Sequence, residues 1–114
     1  MSKLSRERLT DGDVNALKPT GWWGDEGKLF RVFPFASYEE TVDFTLKVAK
    51  LAREQDHHPN IHLFVDKVKV NYFTHDKGGV TAYDIRAAAS VNAMYERLSG
   101  ADDANPPAIS EPVS

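Results

Sequence analysis

The chain has 114 residues, 41% of them apolar and 27% charged, with a formal net charge of −3. That length suits one domain with a modest core, and the acidic balance argues against a polybasic surface that grips nucleic acid directly. Without cysteine there are no disulfides, thiolate nucleophiles or sulfur-ligated metals, and neither a signal peptide nor a membrane span is expected from the charged start and short apolar runs; these features point to a cytoplasmic protein.

In chain order, Thr10-Asp11-Gly12-Asp13 has the Thr-x-x-acid spacing of a helix cap, and Val14, Leu17 and Pro19 limit that helix to about two turns. Gly21 to Gly24 begins a strand, Asp25-Glu26-Gly27 turns it, and Leu29 to Phe35 forms the hairpin partner, with Pro34 at an edge or at the strand's end. Ser37-Tyr38-Glu39-Glu40 caps a longer helix that runs to about Gln55. Its apolar row is Phe44, Val48 and Leu51, with Val42, Leu46 and Ala49 beside it. Pro59 stops this helix at Asp56-His57-His58-Pro59.

Alternation then predicts a second hairpin, Ile61 to Val65 and Val68 to Phe73, turning at Asp66-Lys67. Gly78-Gly79 bends the chain before Thr81-Ala82-Tyr83-Asp84, a third Thr-x-x-acid cap. A last helix follows, with Ile85, Ala88, Val91, Met94, Tyr95 and Leu98 on one stripe. Residues 1–100 read as one domain, and 101–114, with three prolines and three acids, as a disordered tail. The order αββαββα predicts an α+β fold: a four-stranded antiparallel sheet with helices packed on one face.

Three of the four histidines fall in Asp56-His57-His58-Pro59 and Thr74-His75-Asp76, on either side of the second hairpin. A hairpin brings its ends together, so these imidazoles can converge, and imidazole titrates near neutrality. Proton transfer is the first chemistry to expect. Capping of helix-end carbonyls by His57 and a three-histidine zinc site are the competing readings; adjacent His57 and His58 would be awkward joint ligands.

The ordered set from Ala52-Arg53-Glu54-Gln55-Asp56-His57-His58-Pro59 through Thr74-His75-Asp76-Lys77-Gly78-Gly79-Val80-Thr81 to Asp84 resembles the pterin-4a-carbinolamine dehydratases. Gly21-Trp22 and Phe33-Pro34-Phe35 stand where that family has its Gly-Trp and Phe-x-Phe elements. The resemblance implies dehydration of 4a-hydroxy-tetrahydropterin to quinonoid dihydropterin, without a metal or other cofactor. It implies acid and base roles for His57 and His75. It places His58, Trp22, Thr74 and Asp84 around the pterin, although Trp22 can equally be a core residue and Thr81 and Asp84 simple helix caps.

Two positions depart from the family's pattern: Arg53 stands where an acid is usual, and Val65 where an aromatic is usual, which predicts a changed pocket wall. The family also uses this fold without catalysis, as a dimerisation cofactor for a transcription factor and as an assembly factor for Rubisco in α-carboxysomes. The resemblance therefore leaves two partner classes, a pterin or Rubisco as a client protein. Exposed sheet edges add the expectation of a homodimer or tetramer.

Overall fold

The computed structural model describes residues 7–25 and 27–99, the side chains of His75 and Ser99 excepted. The tail expected at 101–114 lies outside the described residues.

Helix α1 (Asp11–Leu17) begins with a complete capping box: the Thr10 hydroxyl accepts the Asp13 N–H, and the Asp13 carboxylate accepts that of Thr10. Strands β1 (Trp23–Asp25) and β2 (Lys28–Pro34) form the first hairpin. Gly24 lies against α1, and a Cβ there would sit 2.5 Å from a Val14 methyl. Pro34 is the last residue of β2, where its missing N–H costs the ladder nothing internal.

Helix α2 (Tyr38–Gln55) starts at Ser37, whose hydroxyl accepts the Glu40 N–H, while the Glu40 carboxylate reaches back to the Ala36 N–H. Its buried row is Thr41, Phe44, Val48 and Ala52. This corrects the expected apolar flank, because Leu46 is 63% exposed and Ala49 also faces away from the core. Thr41 can enter the core in their place because its hydroxyl is satisfied by the Tyr38 carbonyl at 2.6 Å.

Strands β3 (Asn60–Leu63) and β4 (Lys67–Tyr72) form the second hairpin. Its turn comes earlier than the alternation implies: the Phe64 N–H donates to the Lys67 carbonyl at 2.9 Å, so Phe64, Val65 and Asp66 form the loop and Lys67 is already strand. A short 3-10 turn, His75–Lys77, leads to helix α3 (Ala82–Ser99).

The sheet has the order β1-β2-β4-β3, antiparallel throughout. Leu29 and Phe33 of β2 and Val68, Val70 and Tyr72 of β4 are fully buried on the helix-covered face. This is the α+β arrangement the sequence predicts. Phe33 anchors the core's aromatic cluster, its ring 4.8 Å from Phe44 and 4.9 Å from Tyr95.

A polar node penetrates the core beneath Trp22. Asn92 of α3 accepts the Trp22 indole N–H at 2.7 Å and an Arg31 guanidinium N–H at 2.8 Å, and donates to the Thr20 carbonyl at 2.9 Å. No helix among the described residues is long and apolar enough to cross a membrane.

Candidate functional site

The site grows from the way α2 ends. Asp56 adopts the left-handed conformation (φ 52, ψ 43), its N–H bonding to the Ala52 and Arg53 carbonyls, and the His57 N–H returns to the Ala52 carbonyl at 3.0 Å. This reverse turn satisfies the helix's last carbonyls and redirects the chain, so that His57 points back toward the start of α3.

There Nε2 of His57 meets Oδ1 of Asp84 at 2.6 Å. Asp84 is completely buried, and the His57 side chain is 16% exposed. The other oxygen of Asp84 accepts the Thr81 N–H at 2.9 Å and the Thr74 hydroxyl at 2.8 Å. Thr74 and Thr81 also share a hydrogen bond of 2.9 Å. Since Thr74 has one hydroxyl proton and gives it to Asp84, Thr81 is the donor in that pair, and its own oxygen accepts the Tyr83 N–H.

Donors therefore run in one direction, from Thr81 to Thr74 to Asp84, and His57 approaches the same carboxylate from the other side. An ionised carboxylate only accepts, which places a proton on Nε2 and leaves Nδ1 of neutral His57 as a basic nitrogen. The imidazole also lies parallel to the Tyr72 ring, at 5.7 Å and 5°. The Tyr72 hydroxyl is buried without a hydrogen-bond partner among the described residues. Burial first, and the Asp84 charge second, push this phenol above its usual range.

A cleft of about 250 Å³ opens beside His57, lined also by Gln55, Asp56, Thr74, Thr81 and Tyr83. A larger cavity of about 440 Å³, lined by Phe35, Glu40, Tyr95 and others, contains none of the sequence-predicted site residues. The smaller cleft is the one that His57 and Thr74 border.

The structure brings His57, Thr74 and Asp84 together directly. His75 follows Thr74 on a loop closed by the Thr74–Gly79 bridge, with the Thr74 N–H donating to the Gly79 carbonyl at 2.8 Å. Its backbone thus sits one residue from the Asp84 network, while its side chain lies outside what is described. His58 is exposed and does not line the cleft.

Trp22 is also away from the cleft, 1% exposed in the core with its ring 5.9 Å from Tyr72. Because Tyr72 stacks on His57, Trp22 stands behind the imidazole's support. Arg53 is exposed, and Val65 is 73% exposed in the β3–β4 loop; neither lines the cleft. The expected change of pocket wall at Val65 is corrected by the early turn, which ends β3 at Leu63 and carries Val65 into solvent.

Sequence reasoning passed over Gln55 and Tyr83. Gln55 donates to Ser90 at 3.0 Å and leaves its carbonyl oxygen buried without a partner among the described residues. Its place in the last turn of α2, just before the histidines, was the available signal. No cluster of three or more histidine or acidic side chains able to hold a metal occurs among the described residues.

The family model described as pterin 4 alpha carbinolamine dehydratase matches residues 2–94. A relative from Rhodopseudomonas palustris (strain BisB18) is 40% identical across 82% of this chain and 96% of its own length. One from Natronomonas pharaonis is 38% identical across 79% and 98%. Both are named, provisionally, as pterin-4-alpha-carbinolamine dehydratases.

Among solved structures, the transcriptional coactivator/pterin dehydratase of Brucella melitensis superposes with a TM-score of 0.72 at 30% identity, covering 77% of this chain and 98% of that one. A pterin dehydratase-like protein identified as a RuBisCO assembly factor in the α-carboxysome gives a TM-score of 0.54 at 28% identity, covering 64% and 84%. With its helix-end histidine tied to a buried aspartate inside this fold, the chain belongs to the pterin 4 alpha carbinolamine dehydratase family.

Proposed function

We propose that the chain dehydrates a 4a-hydroxy-tetrahydropterin in the His57 cleft. The observation that carries this reading is the Nε2–Asp84 hydrogen bond at 2.6 Å, which orients His57 at the cleft and makes Nδ1 the free basic nitrogen. The reaction breaks a carbon–oxygen bond: one proton goes to the departing hydroxyl, which leaves as water, and one comes off a ring nitrogen. His57 and His75 divide those two roles, Asp84 and Thr74 hold His57 in place, and exposed His58, next to His57 in the chain, contacts the pterin from outside the cleft lining.

The experiment is the decay of 4a-hydroxy-tetrahydropterin, followed with and without purified protein. Acceleration by the intact chain is expected, and His57→Ala should lose at least about 100-fold of it, the range of a single acid–base group. No acceleration by the intact chain would overturn the reading.

The likeness to the RuBisCO assembly factor, together with Arg53 in place of an acid, favours a second reading, in which the fold assists assembly of Rubisco at carboxysomes. In that case co-expression raises the yield of assembled Rubisco, and a variant with alanine at both 57 and 75 does so equally well. An unchanged yield sinks this alternative. The short strands β1 and β3 at the sheet edges suit edge-to-edge pairing into a homodimer, which sedimentation would report directly.

A further inference from the structure

Among the described residues, the helices cover one face of the sheet and no segment covers the other. Strand alternation and the pairing register place Trp23, Phe30 and Val32, together with Lys67, Lys69 and His62, on that uncovered face. Lys69 sits at its centre, paired with Val32 on one side and His62 on the other. Trp23 is 65% and Val32 46% exposed, so the face is apolar as well as basic. Lys28 adds a further cation at the β1 end, opposite Asp25, and Asp66 contacts Lys67 at 3.3 Å.

Three lysines against two aspartates leave this face with a small positive excess, centred on Lys69, in a chain that is acidic as a whole. Its ammonium groups are also arranged in a particular way. Lys69 lies over the Phe30 ring and Lys67 over the Phe64 ring, each at 4.8 Å from the centroid. Rings capped in this way are poor platforms for stacked bases, whereas an ammonium held over a ring still offers its remaining donors to carboxylates.

We propose that the uncovered sheet face docks an acidic polypeptide segment of a partner protein, whose carboxylates meet Lys67 and Lys69 and whose apolar side chains rest on Trp23 and Val32. The surface is separate from the His57 cleft and does not depend on catalysis there.

The test titrates the isotopically labelled full chain with a short synthetic peptide alternating Glu with Leu and Phe, and reads amide shifts and affinity. Shifts are expected at β2 and β4 and in the loop at Phe64. Affinity should fall about tenfold in the Lys67→Glu/Lys69→Glu variant and severalfold in Trp23→Ala, and it should weaken as salt rises. Both variants change exposed positions, and unchanged circular dichroism and dehydratase rate would show that the fold is intact. Three results would overturn the proposal: peptide shifts confined to the helices, tighter binding of an oligothymidylate of equal length, or the same shifts produced by raising the protein concentration alone. Equal affinity of the Lys67→Glu/Lys69→Glu variant would do so as well.

Discussion

Two buried polar groups on the same helix, Asp84 and Asn92, have opposite fates. Asn92 is satisfied from all sides by groups that are themselves locked in place: the Trp22 indole, the Arg31 guanidinium and the Thr20 carbonyl. Asp84 is just as well satisfied, but one of its partners, His57, is partly exposed and borders a cleft. A buried network becomes a chemical site when one member retains a titratable atom that solvent or substrate can reach. Without such a member the same kind of network only fixes the packing.

The sharpest way to break this contrast is Asp84→Asn. An amide can present N–H to Nε2, which moves the imidazole proton to Nδ1 and turns the free nitrogen from acceptor to donor. The dehydration rate should fall about 100-fold or more, with the tautomer change visible in imidazole nitrogen shifts. A rate within a few-fold of the parent would mean that Asp84 serves only to cap α3.

The matching change at the other node is Asn92→Leu. It strands the Trp22 N–H in the core, and urea unfolding should show a loss of about 2 kcal/mol, with the rate per folded molecule unchanged. A large rate loss there would erase the distinction between the two nodes.

Tyr72→Phe sharpens the comparison from beneath the imidazole. It keeps the ring that stacks on His57 and removes a buried hydroxyl that has no partner among the described residues, so stability should rise by about 1 kcal/mol. The phenol also supplies a pH signature. Its folded value lies above the usual 10, so the folded state keeps a proton that the unfolded state releases, and stability declines as pH rises past 10. Phe should remove that share of the alkaline decline, as thermal unfolding at high pH would show.

The smallest expected effect is at Asp56. Glycine adopts the left-handed conformation more readily, so Asp56→Gly should gain about 0.5 kcal/mol in thermal unfolding while the His57–Asp84 contact stays in place.

The elements were legible because their signals are local. The caps at Thr10, Ser37 and Thr81 involve a partner three residues on, and Pro59 bars α2 from running on past the corner that begins at Asp56. The hairpin predicts that His57 and the segment at Thr74 and His75 meet, and the family resemblance adds Asp84 to the same neighbourhood, but the direct bond between His57 and Asp84 was not legible. Asn92 was not legible: its partners lie 70 and 61 residues away, and in sequence it looks like one more polar residue beside an apolar stripe. Leu46 and Val65 were misplaced for a related reason. Periodicity states that a residue is apolar and in phase, but tertiary structure decides how wide a helix face is covered and where a strand stops.

The left-handed turn at Asp56 makes the length of α2 a coordinate of the site. The helix is 18 residues long from a fixed start at Ser37, and His57 leaves from its last turn. An exposed residue within α2 can be exchanged for another helix former without moving that point of departure. A single insertion or deletion cannot be absorbed in this way, since it swings everything beyond it by about 100° and shifts it by about 1.5 Å along the axis. Such a change would keep the composition of the core and yet carry the imidazole away from Asp84, so relatives that share this chemistry should vary in the letters of α2 and agree in their number.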